Sequence, residues 1–186
     1  HAVSQVAGFT KGKFLINGED VTQFSFEEFL DFRLKIGFGF STRGLIHNLT
    51  LRQNLSLPIK YHKLLPENEM KEWVEYCGEY FHIENDLDKR PSDVSTSTQK
   101  STLVLRAFVH KPELVLLDTP ELMLSNKLHA NLLQLVDKHR KEFNLKHFYF
   151  STFDEDLSDC MAPTNIILEN KRLKLVETKK LKRLAS

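Results

Sequence analysis

Apolar positions along this chain recur with two different periods, and segments of the two kinds alternate. Met70, Trp73, Val74, Cys77 and Phe81 fall at offsets 0, 3, 4, 7 and 11, drawing one stripe along a helix that Pro66 opens as a first-turn residue. Leu128, Leu132, Leu135 and Val136 mark another helix. Ser95 stands where its hydroxyl can cap a helix running to about His110, and Lys111-Pro112 ends that helix because proline cannot continue it. Between these helices lie short apolar runs, Ile36 to Phe40, Leu114 to Asp118 and His147 to Thr152, which read as strands. Strands alternating with helices predict an α/β fold with parallel crossovers.

Local signals refine the picture. Ser25 with Glu28, and Thr50 with Gln53, form capping boxes, the first opening a phenylalanine-rich helical stretch through Arg33. Phe14-Leu15-Ile16 running into Asn17-Gly18 reads as a short edge hairpin, since Asn-Gly supplies positive φ. Ile166-Ile167-Leu168 and Leu173-Lys174-Leu175-Val176 make a closing hairpin around Asn170-Lys171. Ala2, Val3, Val6 and Ala7 suggest the last turns of a helix that starts before His1.

With 186 residues, 41% of them hydrophobic, the chain can bury one sizeable core, so residues 1–186 are expected to form one domain. A formal net charge of +1 provides no general field for nucleic acid or acidic lipid. The cluster Lys179, Lys180, Lys182 and Arg183 is confined to the tail and reads as a solvated end. Cys77 and Cys160 match no paired metal or redox spacing and are expected as two buried, reduced thiols. The histidines show no HExxH or other ligand spacing. No apolar run approaches the ~18 residues that span a bilayer, so membrane contact is expected only through a partner.

Chemistry enters at Leu114-Val115-Leu116-Leu117-Asp118-Thr119-Pro120, a buried strand ending in a carboxylate. Upstream stands Arg90-Pro91-Ser92-Asp93-Val94-Ser95-Thr96-Ser97-Thr98-Gln99, and before it Gly44-Leu45-Ile46-His47-Asn48-Leu49-Thr50-Leu51-Arg52-Gln53-Asn54-Leu55-Ser56-Leu57-Pro58. With Ala7-Gly8-Phe9, Ile16-Asn17-Gly18-Glu19-Asp20-Val21 and Ile36-Gly37-Phe38-Gly39-Phe40-Ser41, these motifs in their order and spacing resemble the nucleotide-binding domain of ABC transporters, from about Ala2 to about Val176. The likeness is nearest to importer-like and lipid-handling branches. It implies a P-loop NTPase-like ABC ATPase fold, with a mostly parallel sheet, a small antiparallel edge and a helical signature subdomain at residues 42–95.

The resemblance also locates departures. Thr119 stands where the family has glutamate after the magnesium-binding aspartate, for which Asp118 is the counterpart. Ser41 replaces the Q-loop glutamine, Ser125 the D-loop aspartate and Phe153 the switch histidine. Ser95, Thr96, Ser97 and Thr98 occupy the signature that would meet a nucleotide across a dimer, with Thr96 and Ser97 in place of glycines whose amides approach phosphate. Threonine takes no proton from water at neutral pH, and loss of a general base costs roughly 10²- to 10⁴-fold in rate.

By register the phosphate loop falls immediately before His1, so the resemblance implies native residues upstream, and ATP with magnesium is a cofactor only where such a loop exists. These features predict a degenerate ABC subunit without efficient hydrolysis. It would act as scaffold or regulator with a membrane permease, an ABC ATPase partner or both, as a homo- or heterodimer on the cytoplasmic face of a membrane. Two alternatives stand beside it. One is a slow or asymmetric ATPase in which Asp154, Glu155 or Asp156 replaces the missing glutamate, although acids at that place also suit a helix start. The other is an interaction module detached from transport.

Overall fold

The computed structural model describes residues 12–13, 15–16, 18–22, 24–40, 44–121, 126–161, 164–170 and 172–177. The expected N-terminal helix end, Ser41, Leu124-Ser125 and the basic tail lie outside them, as does the side chain of Cys160.

The centre is a parallel sheet of three strands, β3 (Ile36–Gly39), β4 (Leu114–Asp118) and β5 (His147–Ser151), in the order β3-β4-β5. Ile36 pairs with Leu114 and Leu114 with His147, so the register ends by setting Asp118 beside Ser151. The crossover from β3 to β4 carries α2 (Leu51–Tyr61), α3 (Glu67–Glu79) and α4 (Thr96–Phe108), and that from β4 to β5 carries α5 (Asn126–Glu142). Two antiparallel hairpins stand beside this sheet: β1 (Leu15–Ile16) with β2 (Glu19–Asp20), and β6 (Thr164–Glu169) with β7 (Arg172–Glu177). Gly18 and Asn170 take φ of 87° and 50° at the two turns, as the hairpin signals require.

Burial follows the predicted stripes. Met70, Val74, Cys77 and Phe81 are buried with Leu55, Ile59, Leu105, Phe108, Val115, Leu132 and Leu135 in one core between the helices and β4. Trp73 sits half-buried at its edge, donating its indole N–H to the Val109 carbonyl at 2.8 Å. The capping box at Thr50 is complete, and Ser95 caps α4 by accepting the Thr98 amide at 3.1 Å. Among the cysteines, Cys77 is buried and its thiol is pushed up to about 12 by desolvation.

Two local expectations shift. Ser25 and Glu28 do exchange their capping bonds, at 2.7 and 3.2 Å, but residues 26–29 then form turns, and α1 (Leu30–Leu34) begins only afterwards. The cause is tertiary: Phe29 is buried and stacks on Phe32 at 5.8 Å, and Leu30 bonds three residues back to Glu27. Pro66 is the extended residue preceding α3, with ψ 155°, and the first helical residue is Glu67.

What seats α4 on the sheet is an absence of side chain. A Cβ placed on Gly37 would meet the Ala107 carbonyl carbon at 2.9 Å and collide with its oxygen, so β3 and α4 touch backbone to backbone.

Candidate functional site at the carboxyl ends of the strands

Parallel strands present their last carbonyls on one edge of a sheet, the edge where α/β folds gather ligand-binding residues. Here that edge holds Phe40, Asp118 and Ser151. Ser151 Oγ donates to Asp118 Oδ1 at 2.8 Å, while the Thr119 amide donates to the Ser151 carbonyl at 3.0 Å and to its hydroxyl at 3.1 Å. Thr119 is thereby held at φ 42°, a left-handed conformation that a β-branched residue rarely adopts. Backbone strain of this kind persists only where surrounding bonds over-determine it, as the two contacts from Ser151 do.

Three residues that pattern reading passed over complete this edge. Lys100, one turn into α4, is 2% exposed and directs its ammonium to the carbonyls of Phe40 at 3.3 Å and Asp118 at 3.4 Å. It thus ties the ends of β3 and β4 together. Desolvation draws that ammonium down to about 8, opposed by the negative charges of Asp118 and Glu121. Glu121 Oε1 accepts from Thr152 Oγ1 at 2.8 Å and from the Phe153 amide at 3.2 Å, while its Oε2 is buried without a hydrogen-bond partner. The loops that follow β4 and β5 are therefore pinned to one another. A sequence signal for Lys100 existed: it lies three, four, seven and eight residues before Leu103, Val104, Ala107 and Phe108, on the buried face of α4. Nothing in the sequence marks Glu121 or Thr152, because only the register of β4 with β5 brings them together.

The residues singled out from the sequence fall as follows. Asp118 and Thr119 sit at the centre of the edge. Phe153 is 93% exposed, and only its amide, through Glu121, joins the cluster. Ser95, Thr96, Ser97 and Thr98 form the cap and first turn of α4, with the Ser95 and Thr98 hydroxyls 3.0 Å apart. Of the three acids after Phe153, Asp154 caps α6 (Glu155–Met161) by accepting the Leu157 amide at 3.0 Å, and Glu155 and Asp156 are exposed in its first turn. They serve the helix start, where negative charge is favourable.

This architecture has known counterparts. Residues 2–121 match the family model described as ABC transporter. The chain belongs to the ABC transporter family. It is 30% identical over 150 residues to the ABC transporter ATP-binding protein YtrE of Bacillus subtilis, a match covering 80% of this chain and 64% of that protein. It is also 30% identical over 167 residues to the spermidine/putrescine import ATP-binding protein PotA of Lawsonia intracellularis, covering 90% of this chain and 44% of the relative. The chain thus spans about two fifths to just under two thirds of these relatives. Among solved structures, the fold agrees with a dimeric bacterial ABC transporter cassette at TM-score 0.84 and 21% identity, over 95% of this chain and 78% of that one. A dimeric cassette in a post-hydrolysis state with ADP and phosphate gives TM-score 0.81 at 20% identity, over the same shares. The α/β fold with a parallel central sheet is therefore that of ABC ATPase cassettes, as the motifs implied. No helix among the described residues is long and apolar enough to cross a membrane.

For a magnesium nucleotide, the described residues offer a partial fit. Asp118 would supply one carboxylate, and magnesium ordinarily takes one or two together with phosphate oxygens. The ammonium of Lys100 already brings a positive charge to that edge. No group of three or more His, Cys, Asp or Glu side chains suited to a metal occurs among the described residues. Residues 1–186 contain no GxxxxGK[ST] loop.

Proposed function

We propose that this chain is the ATP-binding-cassette portion of a membrane transport complex in which hydrolysis is largely lost and the domain serves as scaffold or regulator. The observation that carries the reading is Thr119. It follows Asp118 directly and is locked by Ser151, and its side chain offers a hydroxyl where water activation calls for a carboxylate. The exposed ring of Phe153 supports the same conclusion, since a phenyl group provides no hydrogen bond to phosphate. Thr96 and Ser97 add to it by placing Cβ atoms at the start of α4, where close approach of phosphate to the amides would be hindered.

Partners follow from the family. A permease subunit would dock on the segment from Ser41 to Tyr61, and a second ATPase domain, identical or different, would face the start of α4. Such a complex would place the domain at the cytoplasmic face of a membrane, and residues 42–95 would act as its helical subdomain.

A slow ATPase is the competing reading, and Glu121 is the observation behind it. This carboxylate lies at the same edge as Asp118, yet Thr152 and Phe153 occupy one of its oxygens. Magnesium-dependent ATP turnover, measured on the protein with its natural N-terminus, is expected to stay at background in wild type and in Glu121→Gln alike. Turnover that Glu121→Gln abolishes would establish the slow enzyme and overturn the scaffold.

A further inference from the structure

At the other end of α4 lies a cavity of about 210 Å³ that the nucleotide edge does not use. Four nitrogen-bearing side chains line it, drawn from three stretches of chain: Arg33 of α1, His62 just after α2, and Arg106 and His110 at and just after the end of α4. Ile36, Phe38 and Pro58 provide its apolar wall. Among the described residues no carboxylate lines it and neither arginine is in an ion pair. Arg33 is stacked over the Phe26 ring at 4.9 Å, and Arg106 donates one N–H to the Gly44 carbonyl at 2.6 Å. Those contacts leave most of ten guanidinium N–H donors without an acidic acceptor.

His110 lines the same cavity with one ring nitrogen engaged. Its Nε2 lies 3.2 Å from the Ile36 carbonyl, which can only accept, so Nε2 carries the proton. Its Nδ1 is then buried with no partner. Burial and then the nearby His62 and His139 depress the proton affinity of this ring, and burial and then Arg33 lower that of His62. The positive charge of the cavity is therefore that of Arg33 and Arg106, with no acid among the described lining residues to offset it. Half-buried cations without a counter-charge are costly, and an anion entering the cavity would remove that cost while accepting the vacant donors.

We propose that this cavity is an oxyanion site, taking a carboxylate or phosphate group between Arg33, His62 and Arg106. The volume equals that of roughly seven waters at ~30 Å³ each, room for the anionic group and a short stem. Free anions and an acidic side chain of a docked protein share this chemistry.

The test follows the imidazole NMR signals of His62 and His110 in the whole chain, titrated separately with inorganic phosphate and with a blocked, glutamate-containing hexapeptide. Saturable shifts with phosphate identify a small-anion site, and saturation by the peptide alone identifies an acidic side chain as the source. In either case Arg33→Gln is expected to weaken binding about tenfold or more, the worth of a charge-assisted hydrogen bond. Lys141→Gln, which removes an exposed charge of the same sign on α5, outside the cavity, should change it little. Among the described residues the Arg33 guanidinium contacts the exposed Phe26 ring, so its replacement is expected to preserve the fold, and His62→Gln provides a second variant. Absence of saturation with both probes, or equal binding by wild type and Arg33→Gln, overturns the proposal.

Discussion

Acid should destabilise this protein through His110. Its ordinary value of 6.5 falls to about 4 in the fold, chiefly because the ring is desolvated, with the charges of His62 and His139 adding to the effect. Between these limits the unfolded chain binds a proton that the folded chain refuses, so the stabilisation is complete above about 6.5 and is lost as pH falls through 4. At 1.36 kcal/mol per unit the full loss is about 3 kcal/mol, and about 2 kcal/mol of it is already gone by pH ~5. Urea unfolding at a series of pH values, in a buffer without phosphate or carboxylate, measures the curve. His110→Gln keeps an N–H for the Ile36 carbonyl but does not titrate. Wild type should therefore lose about 2 kcal/mol more than the variant between pH ~7.5 and ~5. His139, buried and also shifted downward, is common to both proteins and cancels in the difference. Parallel curves for the two proteins would refute the reasoning.

Three further outcomes are expected. Thr119→Asn should raise stability by about 1 kcal/mol, because asparagine tolerates the left-handed backbone that threonine resists; a lower denaturation midpoint would argue against stored strain. Gly37→Ala should cost about 2 kcal/mol or more, since its methyl group meets backbone of α4 that cannot move aside, and an unchanged thermal midpoint would show that the helix can lift from the strand. Asn54→Ala should cost about 2–3 kcal/mol, because fully buried Asn54 accepts the Ile46 amide at 2.8 Å and donates to the carbonyls of Ile46 and Thr50, each at 3.0 Å. Equal stability of that variant would mean that water replaces all three contacts.

Periodicity made the frame legible. The stripe from Met70 to Phe81 and the apolar face of α5 predicted their own burial, and the capped starts at Thr50 and Ser95 appear where their side chains placed them. Aromatic burial displaced the start of α1, because sequence spacing does not register where Phe29 finds its neighbours. At the candidate site, Asp118 and Thr119 stood out because they end a strand. Glu121 reaches Thr152 and Phe153 only through the pairing of Asp118 with Ser151, a contact across two crossed-over strands. The cavity draws its four basic groups from α1, from the end of α2 and from both sides of the end of α4, and no local pattern joins them.

The bare strand surface at Gly37 lets the last turn of α4 rest directly on β3. The 13 residues of that helix extend about 20 Å, with Ser95 at one tip, Lys100 bridging two strand ends and Arg106 at the opposite tip. No compressible side chain separates the Ala107 carbonyl from Gly37. A displacement of the basic tip would therefore act on β3 directly, because backbone rather than a yielding side chain receives it.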